Sequence, residues 1–272
     1  MHRLGVCSWS LRPKSPAELL TKLEATGLRA VQLALDPIRT RRWDEKETKA
    51  AITKAGVTVL SGMMEMEDED YSTLESIRAT GGLRPDATWA KNRAAAAENA
   101  ALARRLGIKL VSFHAGFLPH DQNEAERGKL LERLRVMARS FAKEGIGIAL
   151  ETGQETAATL LPVLADLAQE RVGVNFDPAN MILYGMGDPV EALEELGPFV
   201  RQVHVKDATP AQVPLTWGTE VPAGKGSVAW KQFFAVLDRQ QPDVDLVIER
   251  EAGDQRVEDV RTAKALVERL LR

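Results

Sequence analysis

One cysteine, Cys7, stands in a chain of 272 residues, so no disulfide can form within it and the fold must rest on packing. Aromatic residues make up 5% of the chain, which leaves aliphatic side chains to fill any core. No apolar run approaches the roughly 18–20 residues of a membrane span, and the opening MHRLGVCSWSLRPKS carries no extended apolar stretch of the secretory kind. The expected compartment is the reducing cytoplasm, with no membrane partner. Excess positive charge is missing too: 36 Lys and Arg oppose 39 Asp and Glu, a net charge of −3, which gives a nucleic acid no electrostatic footprint. With no proline- or serine-rich linker and no short-period repeat, one domain is expected over residues 1–272. A homo-oligomer stays open.

What is present suits a soluble α/β protein. Hydrophobic residues reach 44% beside 28% charged, enough apolar material for a sizeable core. Short β-like runs at 3–10, 30–35, 57–63, 108–116, 145–151, 171–177, 200–207 and 243–251 alternate with helix-like segments at 15–26, 43–55, 86–106, 123–144, 155–170, 188–196, 227–240 and 256–271. Ser15-Pro16 and Asp188-Pro189 place a capping side chain before a proline at the first helical position, and Gly27, Gly56, Gly107 and Gly145 follow helix ends. The dense apolar runs imply strands buried on both faces, and eight strand–helix units most simply close into a (β/α)8 barrel, with an open doubly wound sheet as the alternative. The connection 64–88 is long for its place and rich in acids and glycines, as a cover over the barrel mouth would be.

Four runs end on side chains that can bind metal. IGIALE stops at Glu151, VGVNFD at Asp177, VRQVHVKD passes through His204, and DVDLVIERE reaches Glu249. A lone acid at a strand end is more often a cap or turn residue, and a lone histidine a hydrogen-bonded core residue. In a barrel, however, the C-terminal ends of the strands converge on one mouth, so these four would meet there. Three carboxylates and an imidazole suit one divalent cation, Mn²⁺ first, with Mg²⁺, Co²⁺ or Zn²⁺ also possible.

Around this set the chain resembles the sugar phosphate isomerase/epimerase group of the xylose-isomerase-like TIM barrels, a superfamily that also holds endonuclease IV, ketose 3-epimerases and inosose dehydratase. The segments that carry the resemblance are GIALETGQE (147–155), VGVNFDPANMILYG (172–185), VRQVHVKDA (200–208), VPAGKGSVAW (221–230) and LVIEREAG (246–253). The resemblance implies that Glu151, Asp177, His204 and Glu249 are metal ligands, and that Glu151 and Glu249 are the catalytic acid/base pair. It implies an isomerase or epimerase of a carbohydrate or cyclitol ketone, working through a metal-stabilised enediolate. A lyase on a keto-sugar or inosose shares the chemistry as far as that enediolate, and a non-catalytic metal-containing sugar-binding barrel is the remaining alternative.

Two departures narrow this. Ketose 3-epimerases carry a histidine three residues after the metal aspartate and an arginine six after the metal histidine, where this chain has Asn180 and Pro210, which disfavours a free ketohexose. Endonuclease IV needs a histidine-rich trinuclear zinc site, and His2, His114, His120 and His204 are too few. The expected substrate contacts are Asn180, His114 ending strand four, Lys206 two residues after His204, and Trp9 and Trp217 as apolar walls. Structural roles compete at each: a core histidine, a solvated salt bridge, ordinary core tryptophans. The AGKG run (223–226) offers backbone amides to an anion with Lys225 beside them, but it is no P-loop.

Overall fold

All eight expected strands form, and they close on themselves. The computed structural model describes residues 2–168, 170–213 and 216–271. In chain order β1 (Leu4–Cys7), β2 (Ala30–Ala34), β3 (Thr58–Met63), β4 (Leu110–Phe113), β5 (Gly147–Glu151), β6 (Val172–Phe176) and β7 (Val200–Val205) are followed by a hairpin, β8 (Asp207–Thr209) with β9 (Thr219–Val221), and then by the last barrel strand, β10 (Asp245–Ile248). The barrel is parallel throughout, and β1 seals it by pairing with both β2 and β10. An open doubly wound sheet, which has two free edges, is thereby excluded.

Helices wrap the outside. They are α1 (Pro16–Thr26), α2 (Asp36–Arg39), α3 (Glu45–Lys54), α4 (Leu74–Thr80), α5 (Asp86–Leu106), α6 (Ala125–Ala142), α7 (Ala157–Asp166), α8 (Pro178–Tyr184), α9 (Pro189–Leu196), α10 (Trp230–Gln240) and α11 (Arg256–Leu270). Ser15 Oγ accepts from Glu18 N and Asp188 from Val190 N and Glu191 N, so the Ser-Pro and Asp-Pro pairs start α1 and α9 as their chemistry requires. Gly27 ends α1 at φ 71°, a conformation that costs any residue with a Cβ. Among the described residues no helix is long and apolar enough to cross a membrane.

Side-chain alternation along each strand sorts the barrel into two shells. Leu33, Val174, Phe176, Val203 and Val205 join the main core against the helices. Their neighbours Gln32, Asn175 and Gln202 are buried on the other face, with Ser61 and Ser112. These are joined across the barrel: Gln32 Nε2 donates to Ser112 Oγ at 2.7 Å, and Gln202 takes a hydrogen bond from Ser61 Oγ and gives one to Asn175 Oδ1 at 3.3 Å. Part of the interior that barrels usually fill with branched aliphatics is here a hydrogen-bonded polar layer. The functional side chains stand on it.

Candidate metal and substrate site

The four ligand-type residues come from β5, β6, β7 and β10, which are adjacent around the ring. Glu151 ends β5, Asp177 and Glu249 lie one residue past β6 and β10, and His204 sits inside β7, one residue from its end. Nδ1 of His204 lies 3.5 Å from Glu151 Oε1, 3.5 Å from Asp177 Oδ2 and 3.4 Å from Glu249 Oε2. One ligand atom from each residue fits within a 4.8 Å spread. The imidazole is oriented from behind, since its Nε2 is 2.8 Å from Gln32 Oε1 and 3.0 Å from Asn175 Nδ2, which leaves Nδ1 turned to the carboxylates.

Asp177 divides its labour between two oxygens. Oδ1 accepts from Ala179 N at 2.8 Å and Asn180 N at 3.0 Å, capping α8. Oδ2 is buried and has no hydrogen-bond partner, as is also true of His204 Nδ1. Two orphaned buried atoms facing each other among carboxylates are costly unless a cation joins them, so the residues present fit a divalent ion held by carboxylate oxygen and imidazole nitrogen.

The electrostatics agree. Burial raises the Asp177 carboxyl above its ordinary value. Burial also opposes charge on Glu249, but Lys206 and His204 outweigh it and hold that carboxyl well below the usual range. For Glu151, His114 and His204 likewise overcome desolvation and hold the carboxyl down. Lys206 stays charged although it is 3% exposed, because Glu249, Glu251 and Asp177 outweigh its desolvation.

The expected substrate contacts gather here as well. Asn180 Nδ2 donates to Glu151 Oε1 at 2.9 Å, and its Oδ1 accepts from Lys206 at 3.2 Å. Lys206 also reaches Glu249 Oε2 at 2.8 Å and Glu251 Oε2 at 2.7 Å, so it is a buried hub and not a solvated salt bridge. Trp9 lies in the 3-10 turn Ser8–Leu11 after β1 and not in the strand, yet its Nε1 still donates to Glu249 Oε1 at 2.8 Å. His114, one residue past β4, has Nε2 3.4 Å from Glu151 Oε1. Trp217 packs edge-on to Tyr184, ring centroids 4.9 Å apart.

Above these residues opens a cavity of about 580 Å³ lined by Trp9, His114, Asn180, Lys206, Trp217 and Glu249. The long connection closes one side of it through Met64, Glu65, Met66, Asp68, Glu69 and Tyr71. That connection is fastened at both ends: Asp36 Oδ2 accepts from Glu65 N, Asn92 Oδ1 from Glu67 N, and Glu69 Oε1 from Gly82 N, at 2.7–2.9 Å.

Asp207 gave no signal in the sequence. It is 1% exposed, and its oxygens accept from Gly224 N, Gly226 N, Val228 N and Trp230 Nε1 at 2.8–3.2 Å. The glycine amides of AGKG do meet an anion, but it is this carboxylate, and Lys225 is exposed. Asp207 thereby pins the hairpin that carries Trp217 and Glu220 to the mouth.

Comparisons with known proteins agree with this architecture. The model of the family described as xylose isomerase-like TIM barrel matches residues 20–270. A xylose isomerase domain protein from Planctomyces limnophilus is 31% identical, with 93% of this chain and 90% of that one covered and a TM-score of 0.85. An L-ribulose 3-epimerase structure covers all of this chain and 95% of its own at 17% identity and a TM-score of 0.75, a likeness of fold. A 3-dehydroshikimate dehydratase of Bacillus anthracis is 26% identical over 95 residues, about a third of each protein (34%). With the family model spanning nearly the whole sequence, the chain belongs to the xylose isomerase-like TIM barrel family.

Proposed function

We propose that the protein is a divalent-metal-dependent isomerase or epimerase of a sugar or polyol-derived ketone. One observation carries this reading: three carboxylates converge on an unpartnered imidazole nitrogen at the floor of a cavity sized for a small molecule. Glu151, Asp177, His204 and Glu249 would hold the ion, manganese being the first to try. Bound there it would supply Lewis-acid polarisation of a substrate carbonyl, making the adjacent C–H acidic.

The chain's own groups do the rest. Glu151 and Glu249 stand on strands separated by two others, β6 and β7, so they approach the space between them from different sides. One takes the α-proton and the other returns a proton to the opposite face. Asn180 fixes Glu151, and Trp9 with Lys206 fixes Glu249, so neither carboxylate rotates freely. His114 is placed to donate to a substrate oxygen, Trp9 and Trp217 form apolar walls, and connection 64–88 excludes water as a cover. A second reading, loss of a β-hydroxyl after the same proton removal, is favoured by the match to a dehydratase.

Glu151→Gln and Glu249→Gln, each with metal content measured, test the pair. Interconversion should fall about 10²–10⁴-fold in either. Deuterium uptake from D₂O, followed by NMR from both directions, should depend on which glutamate is missing. Near wild-type turnover in both metal-loaded variants would overturn the assignment, and an elimination product would decide for the lyase.

A further inference from the structure

We infer that this site admits uncharged substrates and excludes phosphorylated or carboxylated sugars, and that Glu251 sets the selection by neutralising Lys206. The inference rests on the proposed function for where the substrate lies. Lys206 is the one lysine or arginine among the described residues lining the cavity. An ammonium has three N–H donors, and all three are taken: by Glu249 Oε2 at 2.8 Å, Glu251 Oε2 at 2.7 Å and Asn180 Oδ1 at 3.2 Å. No donor is left for an entering anion.

The walls add charge of the wrong sign. Glu65, Asp68 and Glu69 line the cavity from the long connection, while Glu251 and Glu220 on the opposite side are paired with Lys206 and Arg250. Nearby groups that bind phosphate elsewhere are occupied: the amides of Gly224 and Gly226 by Asp207, and the Arg250 guanidinium by Glu220 at 2.6 Å and Asp259 at 2.8 Å. Even a divalent ion on the floor leaves carboxylates in excess. A phosphate or carboxylate would enter against like charge, whereas sugar hydroxyls find a wall of acceptors.

The test uses metal-loaded protein and pairs of ketones that differ in charge: 3-dehydroshikimate against its methyl ester, methyl 3-keto-β-D-glucopyranoside against its 6-phosphate, and D-fructose against its 6-phosphate. Binding is read by calorimetry. In at least one pair the neutral member should bind, and its anionic partner at least about tenfold more weakly. Raising NaCl from about 50 to about 500 mM should shrink that gap, since like-charge repulsion is screened. Glu251→Gln should narrow it several-fold, chiefly by tightening the anion, and Glu251→Asp should keep it. Binding of no neutral member, an anion bound as tightly as its partner, or a gap indifferent to salt would each overturn the inference. Should Glu251→Gln fail to fold, the wild-type salt response decides. Failure of the functional reading itself shows separately, as absent metal uptake by elemental analysis.

Discussion

Asp177 shows how a residue can satisfy a local rule and serve a distant site together. Its Oδ1 caps α8 while Oδ2 faces His204 without a hydrogen bond, so the two oxygens can be tested apart. Asp177→Asn keeps a capping acceptor and removes the charge; metal affinity, measured by titration, should fall at least about tenfold with the fold intact. Asp177→Ala should lose the cap too, adding about 0.5–2 kcal/mol of destabilisation in denaturant melts. Glu155 gives a prediction in pH. It is buried, and desolvation pushes its carboxyl from the ordinary 4.5 up to about 8. The folded chain therefore keeps a proton that the unfolded chain releases, and stability falls as pH climbs between those two values, by about 1.4 kcal/mol per unit. Glu155→Gln should match wild type near pH 4 and exceed it by up to a few kcal/mol at pH 8, measured by unfolding across that range. Equal stability of the two at pH 8 would mean that the carboxyl is not held neutral.

Elements were legible where their signals are local. Asp188-Pro189 predicts a helix over 188–196 and the helix is Pro189–Leu196; the apolar 145–151 run contains β5 (Gly147–Glu151). Convergence of Glu151, Asp177, His204 and Glu249 could be read because each stands at a strand end and barrel topology fixes where those ends go. The polar layer of Gln32, Ser61 and Gln202 could not, since its partners are set by closure of the ring, nor could the Asp207 clasp and the β8–β9 hairpin, whose partners lie across an irregular loop with no periodic signal. Helix α4 escaped for another reason: LESIRAT is short and buries Ile77 alone, too weak a periodicity to see within a loop. The connection that holds it depends on Gly82, which has φ +67°; a Cβ there would meet Ala115 backbone at 2.2 Å. Gly82→Ala should cost on the order of 1–3 kcal/mol and loosen 64–83, raising hydrogen exchange there and lowering turnover more than it lowers the melting temperature. Gly56→Ala is the control, also at positive φ (+64°) but with open space around it. If both variants turned over alike, the connection would not be acting as a cover.

At the scale of the whole molecule the site is also a fastening. Its four residues come from β5, β6, β7 and β10, which are consecutive neighbours in the ring, and β10 forms the closing seam with β1. An ion binding all four would tie half the barrel together, and the unfolded chain has no such preformed site, so binding adds directly to folding stability. At an ion concentration of about 100 times its dissociation constant the gain is about 2.7 kcal/mol. For a chain slightly above the 150–250 residue range, where about 1 kcal/mol moves the melting point by about 2–4 °C, chelation should lower it by on the order of 5–10 °C. Calorimetric scans with and without Mn²⁺ or Mg²⁺ measure this without any substrate. Asp177→Asn, if its site is about tenfold weaker, should show about half that shift or less. The shift should grow with the logarithm of free ion concentration, which separates specific occupation from a general salt effect that Na⁺ at equal ionic strength would reproduce. A melting point indifferent to every divalent ion tried would leave the orphaned Asp177 and His204 atoms without the cation their arrangement calls for, and the metal-dependent reading would fall with them.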